Sequence, residues 1–412
     1  MKIGINALFL QNPTNGSGQY LLHLLHALAE VDRQNEYVLL GAKPVGAGLA
    51  PALVSSKFSS SLEEREGGRR GQGQALPLQV SFPYQVSSVP AFAQRNENVE
   101  KLVWEQLTGP AAARKAGVDL FHVPYFAPPL YARTPIIVTI HDVIPFLLPA
   151  YRAGAKVVAY MRLVARAAQK ATLVITVSQH AKQDIMDVLH IPAERIRVIY
   201  EAAGEEYIPT DAETVARVRE RYGVGEQYIF YLGGLDLRKN VLQLVRAFAH
   251  LCTQLHNPNV QLLISGDPAK QAGPFFPDPR PVAEELGVAD RVIYRFVEDE
   301  DKSAMYSGAS LFVFPSLYEG FGLPPLEAMS CGAAVVCSNR TSLPEVVGDA
   351  ALSVDPNDTP ALAEAMRHVL IERSLQDDLR RRSLQRAAQF SWHKAAMETL
   401  AAYEEAYVRR RK

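Results

Sequence analysis

The sequence predicts an α/β protein made of two doubly wound domains, each built on a parallel sheet. Its 412 residues fit two or three domains of about 150 residues each. Short apolar runs alternate with amphipathic stretches, stop in a polar segment near residues 203–225, and then restart. We therefore expect an N-terminal domain over 1–205, a C-terminal domain over 206–390 and a final helix over 391–412.

The first domain begins with an apolar strand followed by an amphipathic helix. Leu21, Leu24 and Leu28 lie on one face of a helix predicted over residues 20–30. Gly, Ala, Ser and Arg dominate residues 41–75, for which we expect a mobile surface loop. The six predicted strands of this domain are 2–9, 37–40, 120–123, 136–140, 173–177 and 196–200.

The second domain repeats this organisation. Val241, Leu244, Phe248 and Leu251 recur at helical spacing after its first strand. Apolar residues recur in the same way over 391–411, which predicts the final amphipathic helix. The six predicted strands are 228–232, 260–265, 291–296, 311–315, 334–338 and 351–354.

Composition excludes several classes of protein. Lys and Arg number 43 against 44 Asp and Glu, so no overall basic excess favours nucleic-acid binding. Three scattered cysteines are too few for a disulfide framework or a four-cysteine zinc site. No window approaches the roughly 20 apolar residues that span a bilayer. We expect a cytoplasmic protein that binds no nucleic acid.

A glycine-rich turn, Asn15-Gly-Ser-Gly-Gln-Tyr20, separates the first strand from the first helix. Gly16 and Gly18 allow backbone N–H groups to approach a phosphate at a helix N-terminus. A dinucleotide fingerprint is poorly supported, because position 21 is Leu and no acidic residue ends the second strand. A plain strand-to-helix turn explains the same residues equally well.

His141 and Asp142 follow a nearly uniform apolar strand. The carboxyl ends of parallel strands border the crevice in which open α/β sheets bind ligands. A structural hydrogen-bonding role is the alternative for a histidine in this position. We place His141 in the predicted site.

The most informative stretch is Phe314-Pro-Ser-Leu-Tyr-Glu-Gly-Phe-Gly-Leu-Pro-Pro-Leu-Glu-Ala-Met. It places Glu319 on a loop and Glu327 on the following helix, with the N–H groups of Phe321, Gly322 and Leu323 between them. A helix N-terminus suits a diphosphate, and carboxylates at its edge suit sugar hydroxyls. Two solvated glutamates would not require the apolar glycine and proline loop that separates them.

Two basic residues, Arg238 and Lys239, precede the helix that follows strand 228–232. Cations oppose the dipole at a helix N-terminus, so an anionic ligand explains them better than helix stability does. The acidic pair Asp299-x-Asp301 matches a metal-binding motif. Because it directly precedes a helical run over 302–308, we interpret it as helix capping and expect no metal cofactor.

Together these segments resemble a retaining glycosyltransferase of family 4, which has the GT-B fold of two facing Rossmann-like domains. The most specific match is the pair Glu319 and Glu327, separated by seven residues. Further matches are Ser338-Asn-Arg-Thr-Ser-Leu-Pro-Glu-Val-Val-Gly348 and Phe390-Ser-Trp392. The resemblance covers nearly the whole chain except residues 41–95.

The resemblance implies a role for each predicted donor-binding residue. Glu319 would bind donor-sugar hydroxyls, Glu327 the nucleotide ribose and Lys239 the diphosphate. His141 would lie beside the anomeric carbon. The remaining implied contacts are backbone groups: the N–H groups of Phe321, Gly322 and Leu323 on sugar and phosphate, and Gly16 and Gly18 as a lip over the diphosphate.

One position departs from the family pattern. Gly234 stands where the family usually has an arginine that shares diphosphate binding, and we expect Arg238 to compensate. The variant Gly-Gly-Leu-Asp-Leu-Arg-Lys-Asn, with Trp104-Glu-Gln, resembles bacterial polysaccharide and O-antigen mannosyltransferases. This resemblance makes GDP-mannose the first expected donor.

The resemblance also implies the partners: a nucleotide-sugar donor, and a glycan or lipid-linked acceptor at the inner membrane face. Basic residues within 151–170 are the candidate peripheral membrane contact, and a solvated helix face is the alternative. A nucleotide-sugar epimerase or a phosphorylase could use the same architecture. A non-catalytic nucleotide-sugar-binding protein is the third interpretation, because the usual arginine at 234 is missing.

Overall fold

The computed structural model describes residues 1–11, 15–44, 54–55, 82–152, 154–255, 257, 259–270 and 273–409. The predicted loop over 41–75 lies almost entirely outside the described residues. Two parallel sheets, each covered by helices, confirm the predicted α/β class. None of the described helices combines the length and the apolar character that crossing a membrane requires.

The N-terminal sheet has eight parallel strands in the order β3-β4-β2-β1-β5-β6-β7-β8. Its inner strands β5, β6 and β7 are buried along their whole length, as expected for a sheet covered on both faces. The strands are β1 (Lys2–Asn6), β2 (Glu36–Gly41), β3 (Val54–Ser55), β4 (Phe82–Val86), β5 (Leu120–Val123), β6 (Ile136–Thr139), β7 (Leu173–Thr176) and β8 (Ile196–Val198).

Helices cover both faces of this sheet, and a π-helical turn at Trp104–Thr108 joins two of them. Asn15 caps the first helix, because its side chain accepts a hydrogen bond from the Gly18 N–H. The helices are α1 (Gly16–Val31), α2 (Glu97–Val103), α3 (Gly109–Lys115), α4 (Ile144–Leu147), α5 (Gly154–Ala168) and α6 (Gln179–Leu189).

The C-terminal sheet has six parallel strands in the order β11-β10-β9-β12-β13-β14. Its strands are β9 (Tyr228–Leu232), β10 (Gln261–Ser265), β11 (Val292–Arg295), β12 (Leu311–Phe314), β13 (Val335–Ser338) and β14 (Leu352–Val354). Its helices are α7 (Ala212–Tyr222), α8 (Val241–Gln254), α9 (Arg280–Glu285), α10 (Lys302–Gly308), α11 (Leu323–Ser330), α12 (Leu343–Val347), α13 (Thr359–Ile371) and α14 (Arg373–Ala387).

The last described helix, α15 (Trp392–Arg409), returns to the N-terminal sheet. Trp392, Ala396 and Tyr403 are buried in one hydrophobic cluster with Leu21 and Leu25 of α1. The Tyr403 hydroxyl also lies 2.8 Å from Nδ1 of the buried His122 on β5. The N-terminal core therefore contains side chains from both ends of the described chain.

Short edge strands were the least predictable elements. The sequence analysis did not predict β3 and β4, because β3 has two residues and β4 contains Pro83. Strand β1 ends at Asn6, three residues before its predicted end, and a 3-10 turn at Leu8–Gln11 follows. The helix over 20–30 begins four residues earlier than predicted, at Gly16.

Candidate active site

A cavity of about 810 Å³ lies in the cleft between the two domains. Both domains contribute loops that follow parallel strands, as expected for a crevice at the carboxyl ends of the sheets. The N-terminal side includes His141 and Glu201, and the C-terminal side includes Lys239, Glu319 and the backbone of residues 320–324. The structure thus brings residues from four separated segments to one cavity.

Glu319 is the most heavily bonded side chain in the cleft. It lies on the loop after β12 and is 8% exposed. Its carboxylate accepts hydrogen bonds from Lys239 Nζ (2.6 Å), Arg238 Nη1 (2.8 Å) and Ser316 Oγ (2.6 Å). Burial alone would raise the pKa of Glu319, but the two cations outweigh burial and lower it. The carboxylate is therefore ionised at neutral pH.

Lys239 points into the same cavity from the C-terminal domain. A short 3-10 turn, Leu237–Lys239, and the left-handed residue Asn240 (φ 58°) orient it before α8. Its Nζ lies 4.8 Å from the centre of the Phe314 ring. Burial lowers the pKa of Lys239, and the neighbouring Glu319 opposes that shift. Among the described residues that line the cavity, Lys239 is the only lysine or arginine.

Arg238 lies beside the cavity and does not line it. Its guanidinium bonds to Glu319 and to the Tyr318 carbonyl, and its Nε lies 3.3 Å from Asp236 Oδ1. Tyr151 of the N-terminal domain donates its hydroxyl to the same Asp236 carboxylate. Two carboxylates therefore hold the guanidinium. Compensation by Arg238 for the missing arginine at 234 stays a prediction.

The glycine loop between Glu319 and α11 contacts the N-terminal domain directly. A Cβ atom on Gly320 would lie 2.3 Å from the His141 carbonyl oxygen, so only glycine fits this approach. Ser178 donates a hydrogen bond to the Gly320 carbonyl (2.7 Å). Gly322 has a φ of +123°, which favours glycine, and α11 begins at the next residue. The backbone of Phe321, Gly322 and Leu323 lines the cavity.

Glu327 lies one turn into α11; it is partly exposed, and it is not among the residues that line the cavity. It accepts a hydrogen bond from the Tyr306 hydroxyl (2.8 Å). Burial raises the pKa of Glu327 to about 7. The two glutamates of the motif therefore differ in charge: Glu319 stays ionised between two cations, whereas Glu327 titrates near neutral pH.

His141 lines the cavity directly after β6. Its ring packs almost perpendicular to the ring of Tyr20, with ring centres 4.7 Å apart and planes at 88°. Its Nε2 lies 3.3 Å from Oε1 of Glu201, a buried carboxylate that the sequence analysis did not single out. Asp142 also lines the cavity, and burial raises its pKa.

The glycine turn after β1 places Gly16 and Gly18 differently. Gly16 lines the cavity together with Asn15 and Ser17. Gly18 is buried inside α1, and its N–H donates to the Asn15 side chain (2.8 Å). The predicted lip at the cavity is therefore formed by residues 15–17.

Apolar side chains dominate the rest of the N-terminal wall. They come from four separate segments: the 3-10 turn after β1, the loop after β5, helix α4 and helix α5. The large apolar residues are Phe9, Phe126, Phe146, Val157, Met161 and Val164, and Tyr160 lies among them. This wall contrasts with the charged C-terminal side.

Comparison with known proteins decides the family. The family model "Glycosyltransferase Family 4" matches residues 14–203, and "Glycosyl transferases group 1" matches 215–386. O-antigen chain mannosyltransferase B of Escherichia coli is 37% identical over 295 residues, which cover 69% of this chain and 74% of that protein. The chain belongs to glycosyltransferase family 4.

Other similar proteins agree with the family. Serotype-specific mannosyltransferase WbdA of Escherichia coli is 33% identical over 62% of this chain, but the match spans only 32% of that longer protein. Sucrose-phosphate synthase from Thermosynechococcus elongatus superposes with a TM-score of 0.70 at 21% identity over 99% of both chains. Anabaena HepE in complex with UDP-glucose gives 0.72 at 17% identity, over 98% of this chain and all of that one. These likenesses confirm the GT-B fold.

One prediction about this glycosyltransferase was wrong in its physical detail. Asp301 precedes α10 as expected, but its side chain makes no capping hydrogen bond. Its carboxylate accepts instead from Arg221 (2.6 Å) and from the Tyr222 hydroxyl (2.8 Å) of α7. The ion pair with Arg221 satisfies the carboxylate better than the helix N–H groups would. Asp301 therefore joins two helices of the C-terminal domain.

Proposed function

We propose that this glycosyltransferase moves a mannosyl group from GDP-mannose to a glycan or lipid-linked acceptor, with retention of configuration and without a metal ion. The observation that carries the proposal is the ion pair between Lys239, before α8, and Glu319, before α11, in the cavity that His141 also lines. The mannosyltransferases among its relatives support mannose as the sugar. The complex of HepE with UDP-glucose supports a nucleotide-sugar donor for this fold.

Charge in the cleft explains how the donor is activated. A diphosphate that binds Lys239 competes with Glu319 for the ammonium group, and so frees a carboxylate oxygen to accept a sugar hydroxyl. The N-terminal end of α11 adds partial positive charge on the same side. A preorganised cation of this kind contributes about 3 kcal/mol to stabilising developing charge. These groups neutralise the leaving diphosphate, so a metal ion is not needed.

Transfer then proceeds on one face of the sugar. The bond between the anomeric carbon and the diphosphate breaks, the acceptor oxygen bonds to that carbon, and the leaving phosphate takes the acceptor proton. The products are an α-mannoside and GDP. His141 and Glu319 hold the sugar during this step, while Glu327 on α11 binds the ribose.

The acceptor enters from the N-terminal side of the cleft. The apolar wall that includes Phe126 and Phe146 offers surfaces on which the carbon–hydrogen faces of a sugar ring can pack. Such an enzyme works in the cytoplasm, where nucleotide sugars are available, in contact with the inner membrane face when its acceptor is lipid-linked.

A transfer assay tests the proposal. The full chain is incubated with GDP-mannose and a synthetic mannose-terminated oligosaccharide in excess EDTA, and the product is identified by its anomeric proton signal. We expect an α-mannoside. Glu319→Gln abolishes most of the transfer, whereas the matched control Glu213→Gln, at an exposed position on α7, does not.

Each negative result of this assay contradicts a different part of the proposal. Transfer from UDP-glucose but not from GDP-mannose would overturn the mannose assignment. A β-linked product would contradict retention, and loss of activity in EDTA that added metal restores would contradict metal independence. Conversion of the nucleotide sugar without any acceptor would identify an epimerase.

A further inference from the structure

Glu201 is a buried carboxylate in the cleft that the proposed mechanism leaves unused. It follows β8, at the start of the segment that joins the two domains, and is 4% exposed. The neighbouring Tyr200 donates its hydroxyl to Glu345 of the C-terminal domain (2.6 Å). Contacts to both domains therefore fix the backbone that carries Glu201. A buried carboxylate at such a point requires a partner, because burying an unpaired charge is costly.

The imidazole of His141 lies close to this carboxylate. Glu201 Oε1 lies 3.3 Å from His141 Nε2, and both residues line the cavity. The two atoms are close enough for a hydrogen bond but poorly aligned, so Nε2 is buried without a hydrogen-bond partner among the described residues. Hydrogen bonds between catalytic groups are often misaligned before substrate binds and tighten in the complex.

Among the described residues, Glu201 is the only acidic residue with a carboxylate oxygen within 4 Å of a nitrogen of His141. The ring of Tyr20 packs almost perpendicular to the imidazole and holds its plane. The Tyr20 hydroxyl lies 3.3 Å from Thr139 Oγ1, which lies 2.8 Å from Nε2 of His122. That chain of hydrogen bonds orients Tyr20, but does not reach a nitrogen of His141.

We propose that Glu201 is a positioning residue that keeps the proton of the His141 imidazole on Nε2, so that Nδ1 accepts a hydrogen bond from a substrate hydroxyl. A carboxylate fixes the tautomer of a neutral imidazole because it accepts a hydrogen bond only from the protonated nitrogen. The other nitrogen is then an acceptor. This inference rests on the proposed function and specifies how His141 holds the sugar.

The first test measures the tautomer without any activity assay. The full chain is labelled with ¹⁵N-histidine, and the imidazole signals of His141 are assigned from their loss in His141→Gln. We expect the pattern of an Nε2-protonated ring in the wild type and a mixture of tautomers in Glu201→Ala. Glu205→Gln, at an exposed carboxylate four residues away, keeps the wild-type pattern. An Nδ1-protonated ring in the wild type overturns the proposal.

The second test uses a double-mutant cycle on transfer activity. Glu201→Ala lowers kcat about 10- to 100-fold, as loss of a supporting partner typically does, with the donor KM within about twofold of wild type. Glu201→Gln, which keeps an acceptor oxygen, recovers part of this loss. Adding Glu201→Ala to His141→Ala costs almost nothing further, because Glu201 acts through the imidazole.

The outcomes separate this inference from the proposed function. Full additivity of the two substitutions, or an effect on KM alone, contradicts positioning by Glu201. A wild-type chain that transfers no sugar contradicts the proposed function, while the ¹⁵N spectra still report whether Glu201 sets the tautomer. Thermal melting of Glu201→Ala, compared with Glu201→Gln, shows whether a loss of kcat reflects unfolding.

Discussion

The two sides of the cleft are built by different means. The C-terminal side concentrates charge and backbone N–H groups in two short segments: Lys239 before α8, and Glu319 with the start of α11. The N-terminal side is an apolar wall whose members come from segments more than 100 residues apart, such as Phe9 and Phe146. The charged side suits a conserved chemical group such as a diphosphate. The apolar side can change residue by residue without disturbing that group.

The carboxylates of the two sides also differ in their electrostatics. Two cations lower the pKa of Glu319 on the C-terminal side. Glu105, in the π-helical turn behind the N-terminal wall, accepts a hydrogen bond from Tyr160 (2.8 Å), and burial raises its pKa to about 7. The site of Glu319 therefore stabilises a charged carboxylate, whereas burial at Glu105 disfavours one. The following predictions test this contrast, from the largest expected effect to the smallest.

The largest effect is expected on the charged side. Lys239→Met should lower kcat/KM for the donor about 100- to 1000-fold, because it removes the cation that faces the diphosphate. Arg238→Met should cost only about tenfold, since Asp236 and Glu319 hold that guanidinium outside the cavity lining. Steady-state kinetics with varied donor measure both. Equal losses for the two variants would show that Arg238 shares diphosphate binding fully.

Stability against pH should distinguish Glu105 from Glu319. Burial raises the pKa of Glu105 from 4.5 to about 7, so its ionisation makes folding less favourable as the pH rises from about 4.5 to about 7. Glu105→Gln should therefore stabilise the chain by about 2–3 kcal/mol at pH 8 and by less than about 1 kcal/mol at pH 5. Glu319 has a lowered pKa, so its contribution is present at pH 8 and lost as the pH falls below its unfolded value near 4.5. Glu319→Gln should therefore destabilise the chain at pH 8.

Urea unfolding of each variant at the two pH values measures these differences. The wild type at the same pH serves as the reference. A gain for Glu105→Gln that is equal at pH 5 and pH 8 would show that ionisation is not its cause.

A moderate effect is expected on the apolar wall. Phe146→Ala should raise the acceptor KM about tenfold, which corresponds to the loss of one ring contact, and leave the donor KM unchanged. Phe92→Ala is a matched control, because that ring is 68% exposed and does not line the cavity. Kinetics with each substrate varied in turn separate the two constants. An increase in donor KM instead would place the donor against the wall.

The smallest effect concerns Glu327. Because burial raises its pKa to about 7, its carboxylate is ionised at pH 8 and protonated at pH 6. The ionised form accepts two hydroxyl hydrogen bonds, so we expect GDP to bind about threefold more weakly at pH 6 than at pH 8. Calorimetric titration with GDP measures the change. In Glu327→Gln the dependence should flatten, and an unchanged pH dependence in that variant would exclude Glu327 as its source.

The two sides of the cleft also differ in how much of them could be predicted from the sequence. The C-terminal residues Glu319, Glu327 and Lys239 lie in contiguous motifs. Periodicity was enough to predict both parallel sheets, except for the edge strands β3 and β4. Glu201 is one acidic residue after a three-residue strand, and nothing local marks it. Its significance depends on the order of β6, β7 and β8 in the sheet, which places the loops after β8 and β6 close enough for Glu201 to reach His141. Burial and ion pairing, which separate the pKa values of Glu319 and Glu327, are likewise tertiary effects.

The return of α15 to the first domain affects the order in which the two domains fold during synthesis. Tyr403 contacts His122 across 281 residues of sequence, and Trp392 belongs to the same hydrophobic cluster as α1. On the ribosome the first domain therefore emerges early but lacks part of its core until the second domain has been made. The second domain, whose contacts are more local, can complete its fold first. We expect a nascent chain that stops before residue 391 to carry a folded C-terminal domain and an incompletely packed N-terminal one.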